Sequence, residues 1–267
     1  MNVAIVLATA LGVMGLPDIF TRYYAIKDGK QARRTSLIVL VMLSAFYLFP
    51  PMLGALGRYY TPDLIGTANM DSVVLALPQA ALPGILGDIF GALVAAGAFA
   101  AIISTTTGVT FSIASTLSQD LLRRRLSGIA GFRVGVVITI AVPFAFVFFA
   151  RDFNLAEMIV MSMAVGASTF SPLLILGIWW RGLSTPGAIA GVIVGGTSST
   201  AAVLLALFRT WPADMQSYIA APAAWSVPLA FAVTVIVSLM TQDQRPANAS
   251  VILGRLHTPE RFRTFKD

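Results

Sequence analysis

Seven long apolar runs, each without a charged residue at its centre, constrain this chain more than any other feature. They lie at about 1–20, 37–57, 89–118, 134–150, 155–180, 186–208 and 223–241. A helix needs about 20 apolar residues to cross the roughly 30 Å hydrocarbon core of a bilayer. Only 11% of the residues are charged, whereas soluble domains carry roughly 25%. The sequence therefore predicts an all-α polytopic membrane protein with about seven transmembrane segments.

The basic residues predict how these segments are oriented. Fifteen of the 18 Lys and Arg residues fall in alternate connections and in the tail, and the other three are Arg58, Arg151 and Arg209. Short loops rich in Lys and Arg stay in the cytoplasm. We therefore expect a multi-pass protein of the cell (inner or plasma) membrane, with the N-terminus outside and the C-terminus cytoplasmic.

The same distribution of basic residues bears on partners. They are spread over four segments without interleaved aromatic residues, which argues against nucleic-acid binding. The triplet 123–125, three consecutive arginines, is compatible with contact to anionic membrane lipid, although topology alone explains it. The connection at 58–88 contains a short apolar stretch, 72–77, that is too brief to span. We interpret it as an extracellular cap.

The interior of the predicted spans offers little acid–base chemistry. No Asp, Glu, Lys or Arg lies in the middle of a run, and the single histidine, His257, is in the tail. Proton relays generally use carboxylates or His at membrane depth, and an intramembrane hydrolase needs metal ligands or a base beside its nucleophile. We therefore expect neither a proton relay, nor enzymatic activity, nor a cofactor.

One polar stretch, at 98–108, does lie at membrane depth. Ala101 is three residues before Ser104 and four before Thr105, so these residues share one helical face. The Ala101 carbonyl and the two hydroxyls would supply three neutral oxygens to one side of a hard cation such as sodium. Alternatively, the hydroxyls bond to their own i−4 carbonyls or serve close helix packing beside the small residues of 91–98.

Three motifs extend this observation along the chain. The first is 15–24 followed by 27–28 and 32–34; the second is 98–105 ending in 118–121; the third is 168–173 with 177–181 and 187–191. Their residues, order and spacing resemble the sodium/solute symporter family, most closely its acetate and short-chain monocarboxylate permease branch. The resemblance covers about residues 10–195.

The resemblance implies a LeuT-type fold of two inverted five-helix repeats. Residues 1–180, with the first five spans, resemble the second repeat and thus the C-terminal part of the core. Residues 181–241 resemble two peripheral helices, and 242–267 form a cytoplasmic tail. The first repeat, an N-terminal half that supplies the other sodium ligands in the family, has no counterpart in these 267 residues.

The resemblance also implies site residues. Ala101, Ser104 and Thr105 match the sodium ligands of the family in residue type. Thr9 falls near a substrate-lining polar position, although an ordinary interior threonine is the competing interpretation. Asp18 stands where the permease branch usually has His, which leaves the exact solute open.

The resulting expectation is sodium-coupled symport of a small organic anion, acetate or a related short-chain monocarboxylate. An alternative is a truncated, transport-incompetent fragment, or a half-transporter that needs a partner carrying the first repeat. A sensor is a third possibility, but the tail after Thr241 has only 26 residues, too few for a signalling domain.

Overall fold

The computed structural model consists of helices joined by turns. It describes residues 2–16, 26, 28–67, 70–123, 126, 128–148, 155–208, 221–246 and 248–258. The α-helices of these residues are α1 (Asn2–Gly12), α2 (Gly29–Phe46), α3 (Phe49–Tyr60), α4 (Val73–Ala81), α5 (Ile85–Thr116), α6 (Ile129–Val147), α7 (Leu155–Trp179), α8 (Thr185–Leu207), α9 (Ala223–Met240) and α10 (Ala249–His257). The described part of the chain contains no strand, in agreement with the all-α prediction.

Six stretches of the described residues are long and apolar enough to cross a membrane. They are Gly29–Tyr60, Ile85–Leu121, Ile129–Val147, Leu155–Trp179, Thr185–Leu207 and Ala223–Met240. The last five begin and end close to the predicted apolar runs, because charged residues and turns mark the ends of those runs. The chain is therefore an all-helical, multi-pass membrane protein.

The second predicted span, 37–57, differs from the structure. The apolar region is longer and is divided into α2 and α3 by Tyr47 and Leu48. Pro50 and Pro51 lie in the first turn of α3. Proline has no N–H, and its ring clashes with the carbonyl four residues earlier, so a continuous helix is interrupted just before this pair. The prolines are tolerated in the first turn of the helix that follows.

The first predicted span, 1–20, is only partly described. Helix α1 has 11 residues and continues as one 3-10 turn, Val13–Gly15. Residues 17–20 lie outside the described residues. This apolar helix is shorter than the six long stretches, and a seventh transmembrane segment stays a prediction.

Two compact units divide the chain. The terminal unit comprises Met1–Leu16 and Leu155–Asp267, and the middle unit comprises Pro17–Asn154. Helices α1 and α7 to α10 belong to the terminal unit. Helices α2 to α6 belong to the middle unit, which carries the polar stretch at 98–108.

Helix α8 packs through glycines in the terminal unit. Gly187, Gly191 and Gly195 recur every four residues and therefore share one face. A Cβ at Gly187 would overlap the hydroxyl of Ser238, and one at Gly191 would overlap the hydroxyl of Thr234. The absence of side chains on α8 lets α9 approach closely, as small residues do between membrane helices.

The centre of the terminal unit is built from small side chains. Helices α1, α7 and α9 meet there, and the buried cluster consists of Ala8, Ala164, Ala167, Ala223 and Val227. The hydroxyls of Ser168 on α7 and Ser226 on α9 are buried and 2.7 Å apart, within hydrogen-bonding distance. Close backbone approach and a buried hydrogen bond therefore hold these helices together.

In the middle unit, α5 and α6 form an antiparallel hairpin. Gly135 of α6 lies against Ala114 of α5: a Cβ at this glycine would come within 2.8 Å of the Ala114 carbonyl oxygen. The rings of Phe111 and Phe132 pack edge to face with centroids 5.6 Å apart. The two helices are thus in close contact along the C-terminal part of α5, after residue 110.

The short helix α4 contains most of the stretch 72–77 that was interpreted as a cap. It packs against the beginning of α5, where a Cβ at Gly87 would overlap the carbonyl oxygen of Leu82. Gln79 Nε2 lies 3.4 Å from the Asp88 carboxylate. The stretch is therefore a packed helix of nine residues, and its extracellular position stays a prediction.

Candidate functional site

The polar stretch at membrane depth lies on a regular part of α5. This helix runs without a break from Ile85 to Thr116. Ala101, Ser104 and Thr105 fall within about 100° of arc, given 3.6 residues per turn. All three are exposed, as are the neighbouring side chains of Ile102 and Ile103 at 61% and 63%. Every residue from 101 to 108 is exposed, so the described residues of the middle unit leave this part of the helix uncovered on all sides, including the side that carries Ala101, Ser104 and Thr105.

Two hydroxyls of α5 bond back to the helix, whereas those of Ser104 and Thr105, like those of Thr106, Thr110, Ser112 and Ser115, have no hydrogen-bond partner among the described residues. Thr107 Oγ1 donates to the Ile103 carbonyl at 2.7 Å, and Thr116 Oγ1 donates to the Ser112 carbonyl at 3.1 Å. Within the described residues, the side chains of Ser104 and Thr105 make no hydrogen bond to a protein group. Back-bonding to the helix therefore accounts for Thr107 and Thr116 but not for this pair.

The Ala101 carbonyl lies inside the helical hydrogen-bond ladder. A carbonyl oxygen has two lone pairs, so it can accept the N–H of Thr105 and still face a cation. Among the described residues, no group of three or more His, Cys, Asp or Glu side chains is placed to hold a metal ion. The oxygens of this face are neutral, which suits a monovalent ion and not a transition metal.

Thr9 is placed in the other unit, on α1. Its side chain is half-buried, and Oγ1 donates to the Ile5 carbonyl at 2.8 Å. This is the geometry of a threonine that bonds back to its own helix. The hydroxyl oxygen keeps lone pairs for a further donor, so a substrate-lining role for Thr9 stays a prediction.

The first family-like motif is described only in part. Asp18 and Arg22 lie outside the described residues. Asp28, in the downstream part of the motif, is the N-cap of α2 and accepts the Gln31 N–H at 2.6 Å. The aspartate satisfies one of the free N–H groups at the start of the helix, which gives this motif residue a structural role.

The third motif lies in the packed part of the terminal unit. Ser168 and Ser171 are fully buried and bonded to the carbonyls of Ala164 and Ala167. Gly187 and Gly191 face the hydroxyls of α9. These motif residues therefore build helix contacts, and they do not form an open site.

A second polar surface, which the sequence motifs do not indicate, lies at the far end of α5. Ser115, Ser118, Gln119 and Arg123 line one cavity of about 460 Å³ with the first residues of α6. The spacing of Ser112, Ser115 and Gln119 places them on one helical face, and this periodicity was the signal available in the sequence.

The described residues form helices with six stretches long and apolar enough to cross a membrane, which defines the class of multi-pass membrane proteins. The model of the sodium:solute symporter family matches residues 1–195. The match covers most of the chain and all three motifs, and the chain belongs to this family.

Curated relatives agree with the family. The chain is 26% identical over 216 residues to a monocarboxylic acid transporter of Corynebacterium glutamicum, covering 76% of this chain and 38% of the relative. It is 27% identical over 304 positions to an uncharacterized symporter of Cupriavidus necator, covering 94% and 43% respectively. It is also 27% identical over 254 positions to the uncharacterized symporter YwcA of Bacillus subtilis, covering 89% and 49%.

The chain thus spans less than half the length of each of these three relatives. No solved structure matches it significantly.

Proposed function

We propose that this chain takes part in sodium-coupled symport of a small organic anion, with acetate or a related short-chain monocarboxylate as the substrate. Membership of the sodium:solute symporter family supports sodium as the coupling ion. A relative named as a monocarboxylic acid transporter supports the substrate class. No organic cofactor enters this proposal.

The observation that carries the proposal is the exposed hydroxyl pair of α5. Ser104 lies at the centre of the predicted apolar run 89–118, where transporters of this architecture bind their ions. A hydroxyl moved from water into an apolar environment without a hydrogen bond costs roughly 2–7 kcal/mol. A cation bound to this face would satisfy both hydroxyls at once.

The geometry also limits the number of ligands that this helix can supply to one cation. Ala101, Ser104 and Thr105 offer three oxygens from one direction, whereas a hard cation is surrounded by oxygens on all sides. We therefore propose that further oxygens come from another helix of the whole transporter. Sodium would then join two elements, and its binding would favour the conformation in which they are close.

The coupling between sodium and the anion follows if sodium joins these two elements. If sodium stabilises the conformation that binds the anion, it raises the affinity for the anion, and the anion raises the affinity for sodium by the same factor. Release of sodium to the cytoplasm would then lower the affinity for the substrate on the same side. Thr9 is proposed to face the substrate, and a Thr9→Val change would raise KM severalfold while Thr9→Ser preserves it.

We propose the following organisation for the transporter: residues 1–180 form second-repeat core helices, 181–241 two peripheral helices, and 242–267 a cytoplasmic tail of a cell-membrane protein. The chain has no cysteine, so single cysteines can report sidedness without background. Asp243→Cys should be labelled by a membrane-impermeant maleimide only after the cells are opened. Asp63→Cys should be labelled in intact cells, and the reverse pattern would overturn the orientation.

Uptake of labelled acetate into proteoliposomes that contain the whole transporter tests the proposed function. An inward sodium gradient should drive accumulation, and an equal potassium gradient should not. Competition by propionate and lactate would define the substrate class. Equal uptake under both gradients would contradict sodium coupling.

A second proposal is that transport needs a partner carrying the first repeat. The uncovered face of α5 favours it, because one helix face reaches only one side of an ion. In that case, the 267-residue chain alone gives no sodium-driven uptake, and uptake requires co-expression with the first repeat or a chain extended by any upstream coding sequence.

A further inference from the structure

A cavity of about 460 Å³ lies at the turn between α5 and α6. Its walls come from the last turn of α5, the π-helical turn Leu117–Leu121, Leu126 and the start of α6. The lining includes Ser115, Ser118, Gln119, Arg123, Gly128 and Phe132. It therefore joins an arginine and three neutral polar side chains in one concave surface.

The polar side chains of this cavity have no bonding partner among the described residues. Within the described residues, Ser115, Ser118, Gln119 and Arg123 make no side-chain hydrogen bond or ion pair. By contrast, Thr116 on the same turn bonds to its own helix at 3.1 Å. The cavity thus holds donors that await a partner.

Ser112, one turn before Ser115 on the same face of α5, does not itself line the cavity. It is only 3% exposed, and its Oγ has no hydrogen-bond partner among the described residues. A buried hydroxyl without a partner is rare in proteins and calls for an explanation such as a bound molecule or ion. It is independent of the open rim around Arg123.

The start of α6 adds a second source of positive potential. The helix begins after Gly128, whose φ is +67°, and no side chain caps it. The first N–H groups of a helix lack partners within the helix, and the macrodipole makes this end attractive to anions. Gly128, which precedes this end of α6, lines the same cavity as Arg123.

One further basic residue, Arg133, lies in the second turn of α6, next to this cavity in the sequence. Asp120 is the acidic residue of the π-helical turn, and it does not line the cavity. The bias of basic residues predicts that this end of α5 lies on the cytoplasmic side, where anionic headgroups lie.

We propose that this cavity binds a phosphate oxyanion, either the headgroup phosphate of an anionic membrane lipid or free inorganic phosphate. The guanidinium of Arg123 would pair with two phosphate oxygens, as arginine does in bidentate contacts. Gln119 and the serine hydroxyls would donate to the remaining oxygens. Such a site is independent of the sodium face of α5 and of the transport proposal.

Native mass spectrometry of the full chain in neutral detergent tests this proposal. For native mass spectrometry, phosphatidylglycerol and phosphatidylcholine are added at graded concentrations. The binding of inorganic phosphate to the chain in lipid-free micelles is measured separately by equilibrium dialysis. The variants are Arg123→Gln, which removes the charge, and Gln119→Leu, which removes a donor without changing charge. Arg181→Gln, on the same predicted side but away from the cavity, is the matched control.

We expect one saturable binding site for phosphatidylglycerol in the parent chain. Arg123→Gln should bind this lipid about fivefold more weakly, given about 1 kcal/mol for each arginine near an anionic surface. Gln119→Leu should weaken binding about threefold, in the range of one lost hydrogen bond. Arg181→Gln should bind as the parent chain does. Size-exclusion profiles of all variants should match, which separates lost binding from misfolding.

The two sources of phosphate give different results. Saturable inorganic phosphate binding that Arg123→Gln abolishes would identify a free phosphate site, whereas selectivity for phosphatidylglycerol alone would identify a headgroup site. Equal losses in Arg123→Gln and Arg181→Gln, or an unchanged affinity in Gln119→Leu, would overturn the proposal and leave only non-specific surface charge.

Discussion

The two compact units differ in what the hydroxyls of serine and threonine contact. In the terminal unit, glycines of α8 face hydroxyls of α9, and Ser168 and Ser226 lie 2.7 Å apart in a buried contact. In the middle unit, Ser104 and Thr105 are exposed on α5, and their hydroxyls make no hydrogen bond within the described residues. The same residue types therefore close an interface in one unit and leave a face open in the other.

This difference distinguishes packing residues from ligand candidates in a membrane protein. A small polar residue that has found a helix partner contributes to stability, and its removal should be measured as a loss of folding free energy. One that has no partner contributes little to stability, and its removal should be measured in binding. Substitutions in the terminal unit should therefore lower the folding free energy, and substitutions at the α5 hydroxyls should lower ion binding.

The largest expected effect is on the closed interface of α8. A Cβ at Gly195 would overlap the Ser168 carbonyl oxygen and come within 2.8 Å of the Ala230 Cβ. Gly195→Ala should therefore destabilise the chain by about 1–3 kcal/mol, the usual range for overpacking. Unfolding in sodium dodecyl sulfate followed by circular dichroism measures it.

The control for that substitution is Gly97→Ala in the middle unit. A Cβ at Gly97 meets no described atom within 4 Å, and alanine favours helix by about 1 kcal/mol over glycine. The variant should be as stable as the parent chain or slightly more stable. An equal loss in both variants would mean that the middle unit is packed as tightly as the terminal unit.

These glycines show how far a sequence pattern carries. The four-residue spacing of Gly187, Gly191 and Gly195 is typical of close helix contact, and the structure shows that contact. Spacing likewise predicted a packing surface that includes Gly91 and Gly97, yet Gly97 has no described neighbour. Periodicity tells which residues share a face, but the partner of that face depends on tertiary arrangement. For the same reason, the sequence predicted the α5 face but could not distinguish packing from ligation.

The break between α2 and α3 and the cavity beside Arg123 were harder to predict. The apolar run continues through Tyr47 and Leu48, so hydropathy alone joins the two helices, although the proline pair that follows contained the signal. The cavity depends on a π-helical turn and on the positive φ of Gly128. Neither backbone feature follows from composition or hydrophobic period.

A smaller effect is expected for the buried hydroxyl pair. Ser168 also contacts the Ala164 carbonyl and Ser226 the Pro222 carbonyl, at 2.8 and 2.6 Å. Each hydroxyl has one hydrogen, so the pair shares its bonds among three contacts. A double-mutant cycle of Ser168→Ala and Ser226→Ala should give a coupling of about 0.6 kcal/mol, as between other membrane helices. A coupling of zero would remove this contact from the account.

The smallest stability effect should come from the open face. Ser104→Ala and Thr105→Ala together should change the free energy of unfolding by less than about 0.5 kcal/mol, as substitutions away from packed features do. The same detergent unfolding assay, run without sodium, measures it. A loss comparable to that of Gly195→Ala would show that these hydroxyls serve packing.

The central claim is that Ala101, Ser104 and Thr105 form one side of a sodium site. It is tested most directly by the sodium dependence of acetate uptake in the whole transporter, with Ser104→Ala plus Thr105→Ala compared with the neighbouring Thr106→Ala. Thr106 points about 100° away from Thr105 on the same helix, so it controls for loss of a hydroxyl. We predict that the double variant needs at least tenfold more sodium for half-maximal uptake and that Thr106→Ala resembles the parent. An unchanged sodium requirement in the double variant would contradict the account.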